Sequence, residues 1–136
     1  MATPDPKEVL ALHRYFLWAA QMREHFYQLT PDVSSSTDVM FRTPYMSYWY
    51  GGTYVIIEGW RELGLADEEI DRLLESPYVD SLKRYRNGSF HFQRKYMDDR
   101  FVGFVTGDGS AEWIFKLTQA FSRWFLEYLR SHTPRT

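Results

Sequence analysis

Apolar residues recur along most of the chain at intervals of three and four, the spacing that puts them on one face of a helix. Asp5-Pro6-Lys7-Glu8 combines an N-cap, a proline at the first helical position and a capping-box glutamate. It predicts a helix running to about Leu29, with Val9, Leu12, Phe16, Ala19 and Phe26 inward and Arg14, Gln21, Arg23 and Glu24 mostly outside. Thr30 to Thr37 is rich in turn formers and reads as a loop. Thr43-Pro44 repeats the cap-and-proline signal, and Met46, Trp49, Tyr50, Thr53, Ile57 and Trp60 then follow at helical spacing toward Leu63. Gly51-Gly52 inside this run weakens the helix by about 1 kcal/mol per glycine against alanine, and marks either a kink or the close approach of another helix. Gly64 has the place of a C-cap.

Asp67-Glu68-Glu69 opens a short helix through Leu74, with its acids at the positive end of the helix dipole. Ser76-Pro77 ends that helix and starts another, which carries Val79, Leu82 and Tyr85 inward. "RKYMDDRFVGFVTGDG" reads as irregular or broken. Ser110 caps a last helix with Ile114, Leu117, Phe121, Trp124 and Tyr128 in one stripe, and the tail from Ser131 is expected to fray. No internal repeat or second domain is visible. The expectation is an all-α fold, a compact bundle of four to five helices forming a single domain over residues 1–136.

The stretch "YRNGSFHF", Tyr85 to Phe92, interrupts this regularity. Asn-Gly between alternating apolar residues is a strong hairpin signal. An isolated two-stranded hairpin is marginal in water, however, and the helical start at Ser76-Pro77 favours a helix that ends or bends at Asn87-Gly88. In an unbroken helix, positions five apart diverge around the axis. A turn at Asn87-Gly88 would let Arg86 and His91 face one site.

Charge adds weight to the same region. The net charge is −2, yet Leu82 to Phe101 carries Lys83, Arg84, Arg86, Arg94, Lys95 and Arg100 against Asp98 and Asp99, so basic charge gathers around the motif. Hydrophobic content of 44% with 25% charged residues is that of a globular domain. No apolar run reaches the roughly 18 residues of a membrane span, and no signal peptide is read at the start. Cysteine is absent, which excludes disulfides and thiolate metal sites and fits a reducing, cytoplasmic setting.

Arg86-Asn87-Gly-Ser-Phe-His91 resembles the R-polar-x3-H form of the Rx4-6H motif of HEPN domains. These are small bundles of four or five helices, many of them metal-independent ribonucleases of toxin–antitoxin, phage-defence and CRISPR systems. The chain length, helical pattern and position of the motif before the last long helix are similar to that family. Arg84 also meets the loose spacing to His91, but only Arg86 is followed by asparagine, and Asn87 is the chain's single asparagine.

The resemblance implies a metal-independent endoribonuclease without a cofactor, with Arg86, Asn87 and His91 catalytic at a site shared across a homodimer. The chemistry is consistent with those residue types. Attack by a ribose 2′-hydroxyl needs a base, an acid for the leaving oxygen and positive charge on the phosphorane. Histidine, with an ordinary pKa of about 6.5, transfers protons near neutrality, and arginine forks onto phosphate oxygens. One histidine per chain does not easily serve as both acid and base, and a second copy supplies another. Arg84, Arg94 and Lys95 would bind the RNA backbone. The alternative is a non-catalytic HEPN-like interaction or nucleotide-binding module, with an antitoxin or nucleotidyltransferase protein as partner. Arg86 would then be a charge favoured at a helix C-terminus, and Asn87-Gly88 its cap.

Other candidates carry less. His13, His25 and His132 have no partner at helical metal-ligand spacing. Serines 34 to 36 read as a turn, and Gly107-Asp-Gly109 is too short to cradle a phosphate. The aromatic run "PYMSYWYGGTY" is expected to be core or dimer interface, with Tyr48 and Tyr50 the exceptions to seek on the surface.

Overall fold

The computed structural model describes residues 3–29, 36–94 and 109–132, with the backbone alone for 36–40. Five helices follow one another: α1 (Pro6–Gln28), α2 (Ser36–Glu62), α3 (Glu68–Leu73), α4 (Tyr78–Phe90) and α5 (Ser110–His132). No strand occurs among the described residues, and the helices pack into the bundle that the apolar periodicity predicts. None of these helices is long and apolar enough to cross a membrane.

Helix α1 starts where expected, with the Asp5 carboxylate accepting the Lys7 N–H at 2.9 Å. Helix α2 does not. It begins at Ser36 and passes through Pro44, so Thr43 is not an N-cap and Ser36 and Thr37 are not loop. Tertiary packing offsets the hydrogen bond that the proline removes. Just before Pro44, the Arg42 guanidinium lies 4.0 Å from the centre of the Phe26 ring, and its Nε donates to the Phe26 carbonyl at 3.3 Å. The first turns of α2 are thereby fastened to the end of α1.

The two long helices run antiparallel, and glycine sets their separation. Gly52 and Gly59, seven residues apart on α2, face Ala19 and Leu12, seven apart in the opposite direction on α1. A Cβ on Gly52 would stand 3.2 Å from that of Ala19, and one on Gly59 would collide with the Leu12 side chain. The neighbouring Gly51 faces the other way, under the ring of Phe90 on α4. Of the two sequence readings of Gly51-Gly52, close approach is the observed one. Helix α2 ends in a Schellman motif: Gly64 takes a φ of 65°, its N–H bonds the Arg61 carbonyl, and the Leu65 N–H bonds that of Trp60.

Helix α3 is capped by Asp67, whose carboxylate accepts the Ile70 N–H at 3.0 Å. Helix α5 clamps it. The Arg123 guanidinium reaches Asp67 at 2.7 Å, and the Trp113 indole donates to the Leu73 carbonyl at 3.0 Å. At the centre, Trp60 donates to Asp71 at 2.9 Å and meets Phe121 and Trp124 edge-on. Burying such a ring contributes on the order of 2–3 kcal/mol, so the aromatic content seen in the sequence largely builds the core. Helix α5 begins at Ser110 itself, with the Gly109 carbonyl one residue earlier accepting the Trp113 N–H, and it stays helical through Ser131 to His132. Of the segment expected to be irregular, 94–109, residues 95–108 lie outside the described residues, as do 30–35 of the expected loop over 30–37.

Candidate functional site at the end of α4

Helix α4 buries Val79, Leu82, Tyr85 and Gly88, one residue in three. This spacing turns Lys83 and Arg84 to solvent and leaves Arg86 and Asn87 half-buried on the flank. Neither a hairpin nor a bend at Asn87-Gly88 occurs. The helix continues to Phe90, and His91 is its C-cap, with extended backbone and its N–H donating to the Asn87 carbonyl at 3.1 Å. Packing on α2 holds both sides of Gly88. Before it, the buried Tyr85 hydroxyl lies 3.1 Å from that of Ser47; after it, the Phe90 ring covers Gly51 and meets Tyr48 edge-on at 5.3 Å. Burial pushes the Tyr85 phenol above its ordinary pKa, against the opposing effect of the hydrogen bond with Ser47.

Arg86 folds across onto α2. Its Nη1 donates to Glu58 at 2.6 Å and its Nη2 to the Asn87 side-chain oxygen at 3.1 Å. The guanidinium carbon lies 4.7 Å from the centre of the Tyr54 ring. Three groups therefore fix a side chain that is 25% exposed, and the Glu58 side chain is 48% exposed. Tyr54 and Glu58 are four residues apart on one face of α2, which is why one guanidinium meets both. Sequence reasoning missed Glu58. It lies 28 residues from Arg86, and nothing local distinguishes it from any other surface acid.

His91 behaves differently. It is exposed, and among the described residues its ring has no hydrogen-bond partner. Its carbonyl accepts from the Gln93 side chain at 2.8 Å, and the next residue, Phe92, is 91% exposed. The motif thus gathers Arg86 and Asn87 into one hydrogen-bonded unit and leaves His91 outside it. No hydrogen bond joins Arg86 to His91. Arg84 and Arg94 are exposed and flank the motif in sequence, and Lys95 lies outside the described residues.

The aromatic run of α2 divides as its periodicity dictates. Trp49 and Tyr54 are core, and Tyr48 is 58% exposed beside Phe90. Tyr50 is not on the surface: it is buried against Tyr85, and burial, with Tyr85 and Tyr27 nearby, pushes its phenol up to about 12. No protein-family model matches the chain, and no curated protein or solved structure matches it either.

Proposed function

We propose that the chain is a HEPN-like, metal-independent endoribonuclease of the cytoplasm that acts as a homodimer, with Arg86, Asn87 and His91 at a cleft shared by two copies. The observation that supports this reading is the exposed imidazole of His91 at the end of α4, without a hydrogen-bond partner among the described residues and close in sequence to an arginine held in one orientation. On this reading His91 transfers protons to or from ribose oxygens. Arg86 exchanges the Glu58 carboxylate for a phosphate, to which its planar fork is equally suited. The second copy supplies the second imidazole. Arg84, Arg94 and Lys95 attract the RNA backbone, an effect that weakens as salt rises.

One observation favours a second reading. Both ends of the Arg86 fork are already taken, by Glu58 and Asn87. This suits a non-catalytic HEPN-like interaction or nucleotide-binding module of a toxin–antitoxin or defence complex, in which the pair locks α4 to α2. Ribonuclease assays on a mixed RNA pool in EDTA separate the two. On the first reading the protein cleaves, and His91→Ala and Arg86→Ala each reduce the rate by about 10²-fold or more. Failure of the unmodified protein to cleave at any concentration would favour the interaction module.

A further inference from the structure

Away from the motif, α1, α2 and α5 part from one another on one side of the core. Between them lies an open groove of about 630 Å³, within the range of small-molecule sites. Its walls are aromatic, with Phe16 and Phe26 from α1, Trp49 from α2 and Phe115 from α5. Helix α5 presents small or polar residues to these rings, Thr118 among them, and that mismatch in size leaves the space unfilled. Among the described residues, Arg23 is the only charged one lining the groove. It is half-buried, and among the described residues it makes no hydrogen bond or ion pair.

A half-buried guanidinium over an apolar wall, with no carboxylate lining the groove among the described residues, is an electrostatic deficit that a ligand's anion removes. The flat rings on either side suit a flat apolar body, and the planar fork of Arg23 matches a carboxylate or sulfonate held at its edge. We propose that this groove binds a small aromatic monoanion, its ring system between Phe16, Phe26 and Phe115 and its charged group on Arg23. The site is independent of the ribonuclease reading and shares no residue with it.

The test uses two dyes with the same aromatic body. 1-Anilinonaphthalene-8-sulfonate carries one negative charge, and N-phenyl-1-naphthylamine carries none. Titrations of the full chain, followed by fluorescence and calorimetry, should show the sulfonate binding one to one and about tenfold or more tighter than the neutral dye. Arg23→Gln should remove that advantage and leave the neutral dye's affinity unchanged. Thr118→Trp, which fills the groove, should abolish binding of both dyes while near-UV circular dichroism stays native. Equal affinity for the two dyes, or sulfonate binding unaffected by Arg23→Gln, overturns the proposal. So does one-to-one binding that survives in natively folded Thr118→Trp, or no saturable binding by the unmodified protein.

Discussion

At Arg86 a guanidinium 25% exposed meets a carboxylate 48% exposed, so water competes for both partners. Pairs of this kind contribute about 0–1 kcal/mol to stability. Their effect on function can be larger, because Glu58 decides whether the fork of Arg86 is open to a phosphate. Glu58→Gln should therefore lower the urea unfolding free energy by about 1 kcal/mol or less. The same variant should bind single-stranded RNA more tightly, with a log–log salt dependence steeper by about one counterion. Unchanged RNA binding in that variant would place Arg86 in the structural role. Asp67 gives a residue-scale prediction of another kind. Burial alone would raise its pKa, but hydrogen bonds from Arg123 and the Ile70 N–H, with the Arg123 charge, outweigh burial and hold the carboxyl below its ordinary value. A depressed folded pKa stabilises the protein above the unfolded value of about 3.9, and that contribution is lost as pH falls toward the folded pKa. Asp67→Asn keeps an N-cap oxygen and removes the charge. Its stability deficit, about 1 kcal/mol at pH 7, should narrow in urea titrations between pH 5 and pH 3.

At the scale of elements, the sequence is informative wherever a cap and an apolar stripe agree. Asp5 and Asp67 open α1 and α3 as read, and Ile114, Leu117 and Phe121 are buried on α5. The two errors, at Pro44 and at Asn87-Gly88, have one cause. Each carries a strong local signal for a boundary, and each is overridden by contacts from distant residues: Arg42 on Phe26 in one case, Phe90 over Gly51 in the other. A proline inside a helix still costs its missing hydrogen bond. Pro44→Ala should raise stability by about 1–3 kcal/mol, whereas the same change at a true first-turn position would gain little. Gly59 should respond in the opposite sense. Alanine there gains up to about 1 kcal/mol of helix propensity but drives a methyl into Cδ1 of the buried Leu12, whose side chain must shift to admit it. A net loss of about 1–2 kcal/mol is expected in thermal or urea unfolding. The pairing of Glu58 with Arg86 was beyond reach from sequence, because it depends on how α2 and α4 cross rather than on the pattern of either helix.

For the whole molecule, the proposed site shared by two copies constrains where they would meet. In a symmetric dimer each residue near the twofold axis faces its own counterpart, so His91 and its neighbour Phe92 must lie at or beside the interface. Exposed apolar side chains are found there, Tyr48, Phe90 and Phe92, but also on α1, where Leu10, Leu17 and Trp18 face solvent. Only the first group is compatible with a shared site. Phe92→Asp alters a side chain that is 91% exposed, so the monomer's stability should change by no more than about 0.5 kcal/mol. Two such carboxylates facing each other near the axis repel, and sedimentation equilibrium should show a monomer without RNA cleavage. Trp18→Asp should leave both the dimer and its activity intact. If Trp18→Asp instead splits the dimer while Phe92→Asp does not, the copies meet through α1. The two His91 imidazoles then lie away from the axis, and any cleavage that remains must come from one chain acting alone.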